Sequence, residues 1–340
     1  MKAELKPSYD FNRMELHKIL PLDTPFTLNI VSSTVCNFKC KYCIHSLDKD
    51  SINEKNFIPT IMDWEMFEKI ISQAKEFNKR FKTVTLTGIG EPMCNKNLAA
   101  MIQYIKDSNI SESIEFVTNG FLLEKDNILD IINAGLDRIR ISIQGLSSKK
   151  YDEICGFPVD FEKFIDKIRF LNENKKQCKV FIKTIDIALE KNEEEEFYNI
   201  FGDICDRIFI ERVRPIFPGV DYNSMIKENK TMNFYGEVHK KILVCPTIFF
   251  TITIWPNGDV YPCCSIEDPS LMGNIRYSSL KEIWNGDRRK DFLFMQLNKE
   301  RKKNHVCKNC EMIYSLIKEE DILDDYVEEL KVKYSDEPRI

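Results

Sequence analysis

Between residues 26 and 215 the chain alternates two periodicities, and that alternation restricts it to few folds. Short runs rich in Ile, Val, Phe and Thr at 26–33, 81–88, 113–120, 138–145, 179–187 and 207–215 read as strands, most ending near Gly or Pro. Amphipathic stretches at 63–78, 95–108, 124–134, 160–174 and 192–204 read as the helices between them. Strands joined by helical crossovers pair in parallel with right-handed connections, which predicts an α/β fold. Periodicity alone does not separate an open sheet from a partial barrel.

The pattern changes near Cys245. Runs at 249–255 and 259–262 flank Pro256-Asn257-Gly258, a hairpin signal in which Asn257 and Gly258 are both expected to tolerate positive φ. Short helices are expected at 279–284 and 287–302. A chain of 340 residues with 43% hydrophobic content can build one large core and one small one. The expected division is an N-terminal extension at 1–25, a large unit at 26–225, a small unit at 240–318 and a C-terminal helix or tail at 319–340.

A net charge of -5 argues against a nucleic-acid partner. No run reaches the roughly 20 apolar residues of a membrane span, and residues 1–20 lack the apolar core of a secretory signal. A cytoplasmic protein without membrane partners is the expectation. Its 12 cysteines are unevenly placed, with three between Cys36 and Cys43 and five between Cys245 and Cys310. In a reducing compartment such clusters point to metal or redox chemistry rather than to disulfides.

The first strand runs directly into Cys36-Asn37-Phe38-Lys39-Cys40-Lys41-Tyr42-Cys43. Thiolates are soft ligands that suit zinc or an iron–sulfur cluster. A tetrahedral zinc site needs a fourth ligand, which His45 offers; a cubane cluster held by three cysteines leaves one iron open.

The C-x3-C-x2-C loop after the first strand resembles the hallmark of the radical S-adenosylmethionine superfamily. Further motifs follow in order at strand ends: Thr87-Gly88-Ile89-Gly90-Glu91-Pro92, Thr118-Asn119-Gly120, Ser142, and the strand ending at Pro215. The resemblance implies a partial (β/α)6 TIM-like barrel with S-adenosylmethionine bound at the C-terminal strand ends. It implies that Cys36, Cys40 and Cys43 hold a 4Fe-4S cluster and that Tyr42, before the third cysteine, packs on adenine. Gly88, Gly90, Glu91 and Pro92 correspond to a loop facing the methionine amine, where glycine permits close approach. Asn119, Ser142 and Lys183 join the cofactor contacts. Two departures stand out: Ile89 replaces a glycine, and Gln144 stands where many relatives have Asp. The implied chemistry is reductive cleavage of the cofactor to a 5′-deoxyadenosyl radical, which removes a hydrogen atom from substrate.

Taken alone, Cys307-x2-Cys310 would fit a zinc ribbon. The order Cys245, hairpin, Cys263-Cys264, Gly273-Asn274-Ile275, 280–284 and Cys307-x2-Cys310 instead resembles the SPASM/twitch extension of the same superfamily, a small α+β domain. It implies one auxiliary 4Fe-4S cluster on Cys245, Cys263, Cys307 and Cys310. Cys264 is left as a packing residue, an alternative ligand or a hydrogen-atom donor. Cys94, Cys155, Cys178 and Cys205 read as core packing. Arg212 and Arg214, expected on one face of the last strand, are candidate substrate contacts or members of a salt bridge.

The architecture resembles 2-deoxy-scyllo-inosamine dehydrogenase-type enzymes, which implies oxidation of a small polar alcohol, sugar- or aminocyclitol-like, with the auxiliary cluster accepting an electron. Peptide modification by epimerisation or cross-linking is the second reading, and a non-catalytic metal-binding protein the third. A reductant such as flavodoxin or ferredoxin is implied with either enzyme. Anaerobic reconstitution is expected to load about eight irons per chain. Replacing Cys36, Cys40 and Cys43 together by Ala should leave about four, and preferential uptake of zinc at both sets would refute both assignments.

Overall fold

In the computed structural model, residues 1–7, 13–55, 57–226, 232–238, 241–265, 267–315 and 317–336 are described. Strands β1 (Glu4–Leu5), β2 (Thr27–Ile30), β3 (Phe81–Thr85), β4 (Ser111–Thr118), β5 (Arg138–Ile143), β6 (Lys179–Ile185), β7 (Arg207–Glu211), β8 (Thr251–Ile254), β9 (Asp259–Tyr261) and β10 (Gly273–Asn274) form one sheet. Its order is β1-β7-β6-β5-β4-β3-β2-β8-β9-β10, with β2 to β7 parallel and in chain order. The two ends do not pair with each other, so the six-stranded arc is an unclosed barrel.

The expected helices form, and their first residues explain where they start. Asp63, Ser147 and Asp160 accept hydrogen bonds from Met66 N, Lys150 N and Lys163 N, satisfying donors that have no partner inside the helix. Helix Lys125–Asn133 opens with a reciprocal Glu124/Asn127 box. The helix Ser148–Cys155 was not expected, because its sequence SKKYDEIC is largely polar.

Alternation along the strands separates two environments. Ile139, Ile141 and Ile143 of β5 are buried against the helices, whereas Arg138, Arg140 and Ser142 face the other way and keep partial exposure. On that inner face Glu115 of β4 receives Arg138 at 3.0 Å and Arg140 at 2.7 Å. Lys183 of β6 meets Glu211 of β7 at 2.6 Å. The outer face is a packed apolar core and the inner face is a set of paired charges.

Three expectations need correction. The last barrel strand ends at Glu211, so Arg212 and Arg214 lie on the loop beyond it and strand alternation does not place them. Residues 247–250 form a helical turn, and the hairpin strand begins only at Thr251. In the hairpin, Gly258 alone takes positive φ, at +88°; Asn257 acts through its side chain, which accepts from Asp259 N. The expected boundary between 225 and 240 falls partly outside the described residues. Beyond it, β8 pairs in parallel with β2 over four residues, so the C-terminal region continues the barrel sheet. The N-terminal extension also joins that sheet, through β1 on β7. No helix among the described residues is long and apolar enough to cross a membrane.

Glu115→Ala leaves two inward arginines without their carboxylate. The loss expected in urea unfolding of the anaerobic protein is at the low end of the about 3–5 kcal/mol for breaking a buried pair, since the arginines retain water contact.

Candidate active site

The loop carrying Cys36, Cys40 and Cys43 leaves β2 at the C-terminal mouth of the barrel. It is shaped by the end of helix Ser148–Cys155. Lys39 N and Lys41 N donate to the carbonyls of Cys155 and Ile154, each at 2.9 Å, which are last-turn acceptors without an intrahelical donor. Beneath the loop, Phe38 packs on Phe121 at 5.6 Å and Phe157 at 5.7 Å between ring centroids. Burial pushes the thiols of Cys36 and Cys43 up to about 12, and the other loop cysteines add to the rise at Cys36. Cys40 is raised by its hydrogen bond with the Cys155 thiol and then by burial. Cys155 lies in the core, as do Cys178 and Cys205, and its thiol is beside that of Cys40.

Among the described residues no three His, Cys, Asp or Glu groups stand close enough to share a single ion. His45, the fourth ligand a zinc site would need, has Nε2 hydrogen-bonded to Ile89 O at 2.7 Å. What remains is a set of three soft, mutually interacting thiols, a donor set that fits an iron–sulfur cluster with one open iron.

The Gly88–Pro92 loop locks this arrangement. Glu91 is 2% exposed. Its carboxylate accepts from Thr118 Oγ1 at 2.7 Å, Asn119 N at 2.8 Å and Met93 N at 3.0 Å, while its own N–H donates to Val35 O at 2.8 Å. Burial raises its pKa and these donors oppose the rise. Asn119 reaches the cysteine loop through Asn37, at 2.8 Å. Pro92, itself buried, starts the turn Pro92–Cys94. The close approach expected between the glycines and a ligand is taken up by the protein itself. A β-carbon at Gly90 would lie 2.4 Å from Val35 O and 2.7 Å from Ser33 O, and one at Gly88 2.5 Å from Val31 Cγ1.

Beside the cysteine loop, Tyr42, Ser142 and Lys183 line a cavity of about 280 Å³ with Arg140, Gln144, Glu211 and Arg214. Gln144 accepts from the Tyr42 hydroxyl at 2.5 Å and donates to Ser142 O at 3.2 Å, joining the loop to β5. Tyr222, which no motif singled out, donates to Tyr42 O at 2.7 Å from the other side. Asp186 accepts from Val213 N at 2.9 Å and so positions the Arg212–Arg214 loop. Both arginines face a second, open cleft of about 540 Å³, and Arg214 borders both spaces.

Cys245, Cys263, Cys264, Cys307 and Cys310 line one cavity of about 140 Å³. Burial pushes Cys245 up to about 11 and Cys307 up to about 12, and holds Cys263 well above the usual thiol range; each also feels the Cys310 thiol. Cys264 alone of the twelve cysteines is exposed. Residues without a motif hold the set in place. The Asn304 side chain accepts from Val306 N at 3.0 Å and Cys307 N at 2.9 Å. Gln296, fully buried, accepts from Cys245 N at 3.2 Å and donates to Cys307 Sγ at 3.6 Å. Arg301, 5% exposed, donates to the carbonyls of Cys307 and Cys310. Its Nε has no partner, and no ion pair involves it among the described residues. A buried cation is costly without a counter-charge, and an anionic thiolate-bound cluster in this cavity supplies one. A polar residue at a core position of the 287–297 helix was the one sequence signal that could have disclosed Gln296.

Residues 30–201 match the Radical SAM superfamily and residues 245–311 match SPASM, an iron-sulfur cluster-binding domain. The probable GTP 3',8-cyclase of Methanococcus vannielii is 39% identical over 137 residues, 40% of this chain and 42% of that protein. The GTP 3',8-cyclase of Campylobacter jejuni is 34% identical over 124 residues, 36% of each. The chain thus spans about two fifths of the length of these curated relatives. Among solved structures, Streptococcus suis SuiB superposes with a TM-score of 0.61 at 19% identity, covering 95% of this chain and 78% of that one. BtrN in complex with AdoMet and 2-DOIA gives 0.54 at 17%, covering 84% and 92%. At these identities the likeness is one of fold.

Gly90→Ala tests the loop packing. A β-carbon against backbone oxygens forces a shift that is expected to cost about 1–3 kcal/mol and to lower iron uptake by the first cysteine set. Iron held by the second set should be unchanged, as read by iron analysis in a variant lacking the first three cysteines and in one retaining them.

Proposed function

The chain belongs to the radical SAM superfamily, and from that premise we propose that it oxidises a small polar, hydroxyl-bearing molecule at the barrel mouth, with the second cysteine set as electron acceptor. It is a radical SAM enzyme whose cofactors are S-adenosylmethionine and two 4Fe-4S clusters, one at the barrel and one in the SPASM domain. When bound, the cofactor on a reduced cluster supplies a 5′-deoxyadenosyl radical that removes a hydrogen atom from substrate.

One observation carries the dehydrogenase reading. The barrel-mouth cavity and the five-cysteine cavity share a wall formed by Ile216, Phe217 and Met312. Two-electron oxidation of an alcohol leaves one electron to dispose of after the hydrogen atom has gone, and a single layer of side chains separates its source from the second thiol set. In this reading Cys36, Cys40 and Cys43 ligate the first cluster and Cys245, Cys263, Cys307 and Cys310 the second. Tyr42, Ser142 and Lys183 orient the cofactor, and Asn119 with the Gly88–Pro92 loop holds the frame. Arg212 and Arg214 meet the substrate, and Cys264 serves neither as a cluster ligand nor as a hydrogen-atom donor. A flavodoxin- or ferredoxin-type protein supplies the reducing electron.

The charges of the outer cleft bear on substrate class. Lys41, Lys150, Arg212 and Arg214 face Glu153, Asp186 and Glu190, four cations against three anions. Lys41 is paired with Glu153 at 3.1 Å and Lys150 with Glu190 at 2.5 Å. Such a nearly balanced lining suits a neutral or zwitterionic polar molecule better than a nucleoside triphosphate. The size of the same cleft, about 540 Å³ against about 280 Å³ for the barrel-mouth cavity, favours one second reading, modification of a peptide.

With a strong chemical reductant the wild type should form 5′-deoxyadenosine slowly without substrate, and Cys40→Ala should form none. Once a substrate is found, product made in deuterated water should carry no solvent deuterium at the reacting carbon. Cys264→Ala should keep most turnover while Cys310→Ala stalls after hydrogen abstraction. Solvent deuterium in the product, lost in Cys264→Ala, would overturn dehydrogenation in favour of epimerisation.

A further inference from the structure

We propose that Arg301 and Gln296 raise the reduction potential of the cluster held by the second cysteine set, making it an acceptor rather than a donor of electrons. The inference rests on the reading of that set as an electron acceptor and names the residues that would make it one.

Reduction potentials of iron–sulfur clusters follow the local charge, hydrogen bonds to the sulfurs and burial. A cluster gains one negative charge when it takes an electron. A fixed positive charge nearby, and a donor pointed at a ligand sulfur, both stabilise that more negative state. Arg301 supplies the first. Its guanidinium is buried beneath the Cys307–Cys310 turn and bonds to both cysteine carbonyls, at 3.1 Å for Cys310. It also donates to the Tyr314 hydroxyl at 3.4 Å. Gln296 supplies the second, through Nε2 to Cys307 Sγ at 3.6 Å, with its amide held in that orientation by Cys245 N.

The charge balance of the cavity makes the effect of Arg301 directional. It is the one basic residue among the described lining residues, and Glu267 is the one acidic residue. Glu267 is held by Lys55 at 3.2 Å, so it does not offset Arg301. In a buried, weakly screened setting the uncompensated charge acts strongly on whatever the thiols bind. The barrel cysteine loop differs: among the described residues no arginine donates to its thiols or to its cysteine carbonyls, and its peptide groups are held by the helix end and by Glu91.

The test is an EPR-monitored redox titration of the full chain in a background with Cys36, Cys40 and Cys43 replaced by Ala, so that the signal comes from the second cluster. Arg301→Gln is expected to lower the midpoint potential relative to that parent, Arg301→Lys to lower it less, and Gln296→Leu to lower it as well. All should keep about four irons per chain. Should Arg301→Gln fail to hold iron, Arg301→Lys and Gln296→Leu still report the potential. Iron-loaded variants that titrate at the parent potential would overturn the proposal and leave both residues as packing. The titration contains neither S-adenosylmethionine nor substrate. Failure of the dehydrogenase reading would appear in the product, and failure of this inference in the potential.

Discussion

The site depends on one buried carboxylate. Glu91 would be costly to enclose without donors, and the fold supplies three, two of them from the end of β4. Meeting that demand draws the loop after β3, the end of β4 and the segment leading to Cys36 into contact. Gly90 lets the backbone come close enough, and Asn119 carries the link on to Asn37 inside the cysteine loop. Glycine and glutamate in this motif thus serve the cysteines through the frame that holds them. The helix end at Cys155 and Ile154 completes the frame from the opposite side.

The same division of labour explains the barrel. Its helices cover an apolar outer face, so stability does not need the inner face to be apolar. That freedom appears as charge pairs, Glu115 with Arg138 and Arg140 and Lys183 with Glu211, and as a polar set in which Asn29 of β2 joins Thr85 of β3 at 2.9 Å. Charges lining a concave surface are tolerable because they are paired and partly wet. They leave a partly polar-lined cavity at the barrel mouth.

Much of this was legible in the chain. The six strands with five helices between them, the two cysteine sets and the strand-end motifs carry strong local signals, because periodicity and spacing are properties of sequence. Boundaries were less legible where tertiary contacts decide them. The strand expected to reach Pro215 stops at Glu211, and Asp186 beyond β6 takes the amide of Val213. Helix Ser148–Cys155 was hidden by its polar composition, although its carbonyls shape the cysteine loop. Cys155 read as packing because nothing local reveals that its thiol meets Cys40. Arg301 was invisible for a related reason: a missing counter-charge becomes visible only when the neighbours are in place, whereas Gln296 showed only as a polar residue at a core position of its helix.

The continuity of the sheet bears on how two redox sites can cooperate. Cys36 follows β2, whereas Cys245 precedes β8 and Cys263 follows β9. β2 and β8 are hydrogen-bonded neighbours, and Val31 N extends their ladder to Ile254 O at 2.9 Å. The spacing between the two cysteine sets is therefore set by strand register rather than by a linker. A domain on a flexible hinge would leave the gap between substrate and second thiol set variable, and electron transfer falls steeply with distance. Here a one-residue slip of β8 on β2 would exchange the buried positions of Ile252 and Ile254 with those of Thr251 and Thr253, so the register is strongly held. Strand pairing thus ties the segment that leads into Cys36 to the segment that runs between Cys245 and Cys263.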